Sequence, residues 1–289
     1  MKPLFVLILL FCSLFCAAQG ADVVYSKQDS VIYEKYIKEF KSERDKPLDE
    51  LIVNTSKFFM GKPYVASTLE VSDKEQLIIN LREFDCTTLV ENSIALAKTI
   101  KSGDTSFGNY CRILKQIRYR DGEINGYLSR LHYTTDWIFE NEKQNVFENI
   151  SLKPGGKKVV QPVNFMSTHP NLYKHLKNSP SNIRELSNIE KEINKRDSYR
   201  IIPLAKIAAI EKGIENGNII TFATSIAGLD YSHMGIAYRQ NGTMHFIHAS
   251  SRAKQVVIET KTLLNYCKSS KNCTGISIFR IKPENRYGE

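Results

Sequence analysis

The chain has 289 residues, of which 42% are hydrophobic and 25% charged, with 15 Gly, 9 Pro and 6 Cys. That balance excludes wholesale disorder, a collagen-like repeat and a disulfide-built miniprotein, and a chain of about 300 residues can bury an ordinary core. Its 40 Lys and Arg against 31 Asp and Glu give a formal charge of +9, which points to an anionic partner such as nucleic acid, a membrane surface or an acidic polymer.

The chain opens with Met1-Lys2 and the apolar run PLFVLILLFCSLFCAA, closed by Ala18-Gln19-Gly20. A membrane span needs about 20 apolar residues, so 1–20 reads as a signal peptide with a small-x-small cleavage site. Lipidation at Cys12 or Cys16 and an uncleaved anchor are the lesser alternatives. Residues 21–289 are then one exported domain, periplasmic or extracellular, with no stable membrane span. Cleavage removes one lysine and no acid, so the positive surplus survives. Export argues against nucleic acid, and neither a zinc-finger spacing nor a Walker A sequence occurs. An anionic envelope polymer is the simpler partner.

Helical spacing marks 28–42 and 47–60, with Pro47 in the first turn of the second helix and Gly61 and Pro63 ending it. EQLIINL (75–81) reads as a strand. FDCTTLVENSIALAKTI (84–100) reads as a helix with Val90, Ile94 and Ala97 on one stripe. A mixed stretch, about 105 to 200, holds RLHYTTDW, a Gly-Lys turn at 155–158, NFMSTHP and a charged helix near 181–196. Pro203 opens a helix running to about Gly213. Short segments rich in Ile, Val, Phe and Thr follow at 218–224, 233–239, 243–249, 254–260 and 275–281. Asn241-Gly242 marks a tight hairpin. Helices followed by an antiparallel meander make the fold class α+β.

Four cysteines lie beyond the signal peptide. Export permits Cys267 and Cys273 of CKSSKNC to pair, although spacing alone leaves that open. Cys86 follows Phe84-Asp85 at the start of a predicted helix. There the backbone N–H groups and the helix dipole favour negative charge, so the thiol pKa should fall. The same N–H groups could hold an oxyanion.

A base must come from the six histidines. With Asn241-Gly242 as a two-residue loop, Gln240 faces Thr243, His233 faces Ser250 and His248 faces Gly235. Residues two apart share a face, so His233 and His248 are diagonal neighbours and His245 points the other way. That parity disfavours a zinc site built from Cys86, His245 and His248, and no metal or cofactor is expected. Nucleophile, base and a third polar group orienting the base are the parts that thiol catalysis needs.

GKPY (61–64), FDCTTLVE (84–91), SHMGIAY (232–238) and FIHASS (246–251) resemble the motifs of NlpC-type papain-like cell-wall peptidases. The wider pattern, including RLHYTTDW, NFMSTHP and GLDYSHMGIAY across most of 50–282, is more similar to one branch, the N-acetylmuramoyl-L-alanine amidase-like family. The resemblance implies a papain-like NlpC-type core in which the nucleophile's helix packs on the antiparallel sheet, with a large insertion between Cys86 and His233. It implies Cys86 as nucleophile, His233 as base and His248 as the third residue, with Tyr64, Asp85 and Thr87 lining the substrate end. Thr87 stands where that superfamily usually has Ser.

The implied reaction is cleavage of the amide between N-acetylmuramic acid and L-alanine in peptidoglycan fragments, anhydro-muropeptides among them, through a thioacyl-enzyme. Arg130, His132, Tyr133, Asp136 and Trp137 of RLHYTTDW are candidate pocket residues, although a lone Trp and a Tyr are more often core residues. Asp230 could cap a turn or contact substrate. Two competing readings are a D-glutamyl–diamino-acid endopeptidase and an inert glycopeptide-binding protein.

Overall fold

The computed structural model describes residues 23–282 apart from 152, 154, 160, 197 and 198. The expected signal peptide therefore lies outside the described residues. The helices are α1 (Lys27–Phe40), α2 (Leu48–Phe58), α3 (Cys86–Ser102), α4 (Phe107–Arg118), α5 (Thr134–Lys143), α6 (Phe165–Thr168), α7 (Pro180–Lys195), α8 (Leu204–Ile210) and α9 (Leu263–Lys268). The strands are β1 (Val23–Val24), β2 (Leu77–Ile78), β3 (Phe147–Asn149), β4 (Lys157–Lys158), β5 (Arg200–Pro203), β6 (Ile219–Thr224), β7 (Tyr231–Gln240), β8 (Thr243–Ser250), β9 (Gln255–Ile258) and β10 (Cys273–Ile281). Strands β4-β5-β10-β6-β7-β8-β9 form an antiparallel sheet in that order, with β3 also paired to β10, and β1 and β2 pair separately. The α+β expectation is met.

The sheet is buried on both faces, each read by strand parity. Met234 and Ile236 of β7 and Ile247 and Ala249 of β8 join a core built from the apolar sides of α1–α4. Phe222, Ala237, Met244 and Phe246 join a second core, closed by Ile207 of α8 and Leu263 and Cys267 of α9. A third cluster, from Tyr127, Tyr133, Met166, Leu176 and Leu186, packs the stretch between α3 and the sheet.

The hairpin register is the expected one: Gln240 pairs with Thr243 and Ile236 with Ile247. Asn241 and Gly242 both have positive φ, 50° and 80°, as a two-residue loop matched to the strand twist requires. Gly235 allows the close approach inside this hairpin. A Cβ there would lie 2.6 Å from the Phe246 ring and 3.2 Å from the Cβ of His248.

Three expectations need correction. The strand over 75–81 contracts to Leu77–Ile78. Its neighbours are satisfied by other groups, since the Ile79 amide donates to the Val24 carbonyl and the Leu81 amide to Asp29 Oδ1, both at 2.8 Å. The mixed stretch contains a full helix, α4, capped by Ser106, with an apolar stripe of Tyr110, Ile113, Leu114 and Ile117. The strand over 254–260 is shorter, Gln255–Ile258, and the chain bends at Thr260 and Lys261 before α9. The pairing left open by spacing is made: Cys267 and Cys273 form a disulfide that ties α9 to the start of β10.

Candidate active site

Cys86 is the first residue of α3, and Asp85 is its N-cap. The Thr88 amide donates to Asp85 Oδ1 at 2.8 Å and the Asp85 amide to Thr88 Oγ1 at 2.9 Å, a reciprocal capping box. This fixes the chain direction at Cys86. It also leaves the amides of Cys86 and Thr87, in the first turn, without helical acceptors, as at any helix start.

Asp85, Cys86, Thr87, Arg130, His132, Tyr133, Asp230 and His233 all line one cavity of about 470 Å³. The candidates from three separate chain regions thus meet at one place. Tyr64 stands beside it: burial raises its phenol pKa first, and the charges of Cys86 and Asp85 add to that.

His233 Nε2 and His248 Nδ1 are 2.6 Å apart, as the strand parity requires. His248 lies behind His233 and is only 1% exposed. Phe222, Phe246 and Tyr266 surround the pair, with the Tyr266 ring 5.8 Å from each imidazole. This apolar surround disfavours the charged forms. Burial, helped by the neighbouring His248, brings His233 down to about 3; burial also brings His248 to about 4, with Glu259 pulling the other way. His245 points to the opposite face, where Nδ1 meets the Glu259 carbonyl at 2.9 Å.

The depressed thiol pKa expected at a helix start is not found. Burial raises Cys86 to about 12, and the Asp85 carboxylate beside it adds to the rise. The backbone amides of Met234 and Thr87 and the Thr87 hydroxyl act in the opposite direction without overcoming it. Both shifts act against a resting thiolate–imidazolium pair.

The RLHYTTDW candidates divide. Arg130 reaches the cavity already held by two carboxylates, with Nη2 2.5 Å from Glu70 Oε1 and Nε 3.1 Å from Glu75 Oε1. His132 Nε2 meets the Tyr127 carbonyl at 2.9 Å, and burial next to Arg130 lowers its pKa to about 3. Tyr133 donates to Glu190 Oε1 of α7 at 2.7 Å and accepts from the Met166 amide at 2.9 Å, so it ties the cavity wall to α7 behind it. Asp136 and Trp137 are corrected: neither lines the cavity. Both are buried, where Asp136 takes Arg120 and Arg196 and Trp137 packs on Phe147. Asp230 is buried and accepts from the Thr135 amide at 2.6 Å and the Tyr231 amide at 2.7 Å, which anchors the wall.

Sequence reasoning missed Glu259, whose Oε2 lies 3.7 Å from His248 Nε2. It also missed Glu70, Tyr173 and Lys174 on the cavity wall, and Tyr266 against the histidines. For Glu259 a signal exists in the β8–β9 register. His248 pairs with Val257, so Glu259, two residues further on, shares the His248 face. No two-residue turn fixes that register in the sequence.

The family described as AmiA-like, N-acetylmuramoyl-L-alanine amidase-like, matches residues 54–276. A solved N-acetylmuramoyl-L-alanine amidase from Bacteroides uniformis ATCC 8492 is 36% identical, covering 81% of this chain and 99% of its own, with a TM-score of 0.76. A Bacteroides fragilis protein provisionally named a xylanase is 41% identical, covering 79% of this chain and 100% of its own, with a TM-score of 0.73. A Legionella pneumophila protein, 22% identical over 89% of this chain and 95% of its own, shares the fold with a TM-score of 0.64. No curated protein matches the chain.

Proposed function

This chain belongs to the N-acetylmuramoyl-L-alanine amidase-like family; we propose that it is a thiol amidase acting on peptidoglycan fragments, and from its apolar N-terminal run that it is exported. Its substrate bond joins the lactyl carboxyl of N-acetylmuramic acid to L-alanine, with anhydro-muropeptides in the substrate class. The observation that carries this reading is the meeting of Cys86, at a capped helix start, and His233, backed by His248, on one cavity.

Cys86 Sγ attacks the lactyl carbonyl while His233 takes the thiol proton. Because His233 Nε2 is engaged by His248, Nδ1 is the atom left to act as base. The amides at the start of α3 receive the oxyanion. His233 then gives the proton to the alanine nitrogen and the stem peptide leaves. Water, deprotonated by His233, releases the muramyl acid from the thioester. Because the surroundings favour the neutral thiol and the neutral imidazole, proton transfer accompanies attack.

A sugar-cleaving reading, raised by the Bacteroides fragilis relative's name, needs two available carboxyl groups across the substrate. Here Asp85 caps α3, Asp230 accepts two amides and Glu70 is held by Arg130. An endopeptidase of the NlpC type would leave L-Ala–D-Glu on the sugar. Weighing the products of a defined muropeptide separates the two: free stem peptide supports the amidase, and a sugar still carrying L-Ala–D-Glu refutes it.

The pH profile tests the base. His233 must be neutral to accept a proton, and its pKa is lowered, so the neutral form persists as pH falls well past the ordinary imidazole value. The acid limb of kcat/KM is expected below about pH 5, rather than near the ordinary value of about 6.5. A limb at 6–7 attributable to His233 would contradict this environment.

A further inference from the structure

The hydrogen-bond bookkeeping behind His233 continues one residue beyond the pair of histidines. A neutral imidazole carries one proton, so each ring has one donor and one acceptor. If His233 Nδ1 is to accept the thiol proton, its own proton must sit on Nε2. That N–H then donates to His248 Nδ1, 2.6 Å away. His248 must in turn carry its proton on Nε2. This nitrogen is buried and has no hydrogen-bond partner, and it faces the Glu259 carboxylate at 3.7 Å. The reverse arrangement, with His248 Nδ1 donating to His233 Nε2, would put the His233 proton on Nδ1 and remove the base.

We propose that Glu259 is a positioning residue that selects the working tautomer of His233 through His248. Its carboxylate attracts the proton of His248 to Nε2 and so forces the His248 Nδ1 lone pair toward His233. Glu259 suits this role because its own position is fixed. Its amide donates to the Phe246 carbonyl at 2.9 Å, and its Oε1 accepts from the Lys261 amide at 3.0 Å. Its Oε2 is the oxygen turned toward His248, and the side chain is only 16% exposed, so little water competes for the site. When His233 becomes imidazolium, the same carboxylate stabilises the charge at one remove, as an outer acid does behind a catalytic histidine.

The proposal rests on His233 being the base of the amidase reading, but its test can be read without substrate. Histidine nitrogens are labelled and the proton of His233 is located by nitrogen NMR in the resting protein. Wild type is expected to carry it on Nε2. In Glu259→Leu, which offers no acceptor, the proton is expected to move largely to Nδ1; Glu259→Gln, which keeps a carbonyl oxygen, should fall between. Glu259→Gln also carries the measurement if leucine disturbs the strand end. Activity should follow the tautomer. For Glu259→Leu, kcat is expected to fall about 10–100-fold with KM changed less than about threefold, by analogy with the outer partners of metal-bound histidines. A smaller loss is expected for Glu259→Gln. The same His233 tautomer in wild type and both variants overturns the proposal, whatever the activities. A wild type that releases no stem peptide overturns the amidase reading instead, and the NMR result still decides the role of Glu259.

Discussion

Cys86→Ala is expected to abolish stem-peptide release, lowering the rate by about 10⁴-fold or more, the scale on which nucleophile removal acts where no second route exists. The fold should survive the change. The Asp85–Thr88 capping box uses no atom of the Cys86 side chain, and alanine is the better helix former. The midpoint of thermal unfolding should therefore stay within a few degrees of wild type, and muropeptide binding should persist. Rate by product mass and stability by calorimetry check both halves. Undiminished release would remove Cys86 from the chemistry, and loss of activity accompanied by unfolding would make the result uninformative about the nucleophile. The inert glycopeptide-binding reading differs in the wild type, forecasting binding in both proteins and release in neither.

The largest expected effect on stability lies one layer behind the site. Arg118 of α4 and Glu91 of α3 form a buried ion pair, with Nε 2.7 Å from Oε2, and Arg118 Nη1 also donates to the Ile78 carbonyl at 2.7 Å. One side chain thus joins the cysteine's helix, the next helix and the short strand β2. Burial pushes the Glu91 pKa up, and the Arg118 charge opposes that push. Arg118→Leu leaves a buried carboxylate unpaired and should cost about 3–5 kcal/mol. For a chain of this size that lowers the unfolding midpoint by roughly 10 °C. The double variant Arg118→Leu/Glu91→Leu removes the orphaned charge and should recover most of the loss. Calorimetry on the three proteins measures this; a single variant that melts with wild type would show that water or protonation relieves Glu91.

The parts of the site legible in the sequence were those set by local rules. An Asp before a helical stripe placed Cys86 at a helix start, and an Asn-Gly loop fixed which histidines share a face. Each depends on neighbours within a few residues. What could not be read depends on contacts between distant segments. The thiol pKa is an example: the helix start favours the thiolate, yet burial by a remote wall and the adjacent Asp85 outweigh it. Asp136 and Trp137 sit in the same motif as Tyr133, but the turn of α5 sends them inward, and motif membership carries no direction. Glu259 required the β8–β9 register, and the connection between those strands, with Lys254 at φ 59°, has no turn signature that sets it. Among the core elements, α4 lay within the stretch read only as mixed, although Tyr110, Ile113, Leu114 and Ile117 recur at helical spacing.

The central claim is acyl transfer from the muramyl carboxyl to Cys86, and hydroxylamine partitioning tests it most directly. A thioester intermediate on Cys86 is open to hydroxylamine as well as water. Wild type digesting a defined anhydro-muropeptide in hydroxylamine should give free stem peptide with L-alanine at its amino end, and hydroxamate and free acid on the lactyl carboxyl of the sugar that together match it, the hydroxamate share rising with hydroxylamine. Cys86→Ala should give neither. Hydroxamate on the glutamyl carboxyl instead, or stem peptide released at the same rate by Cys86→Ala, would contradict it.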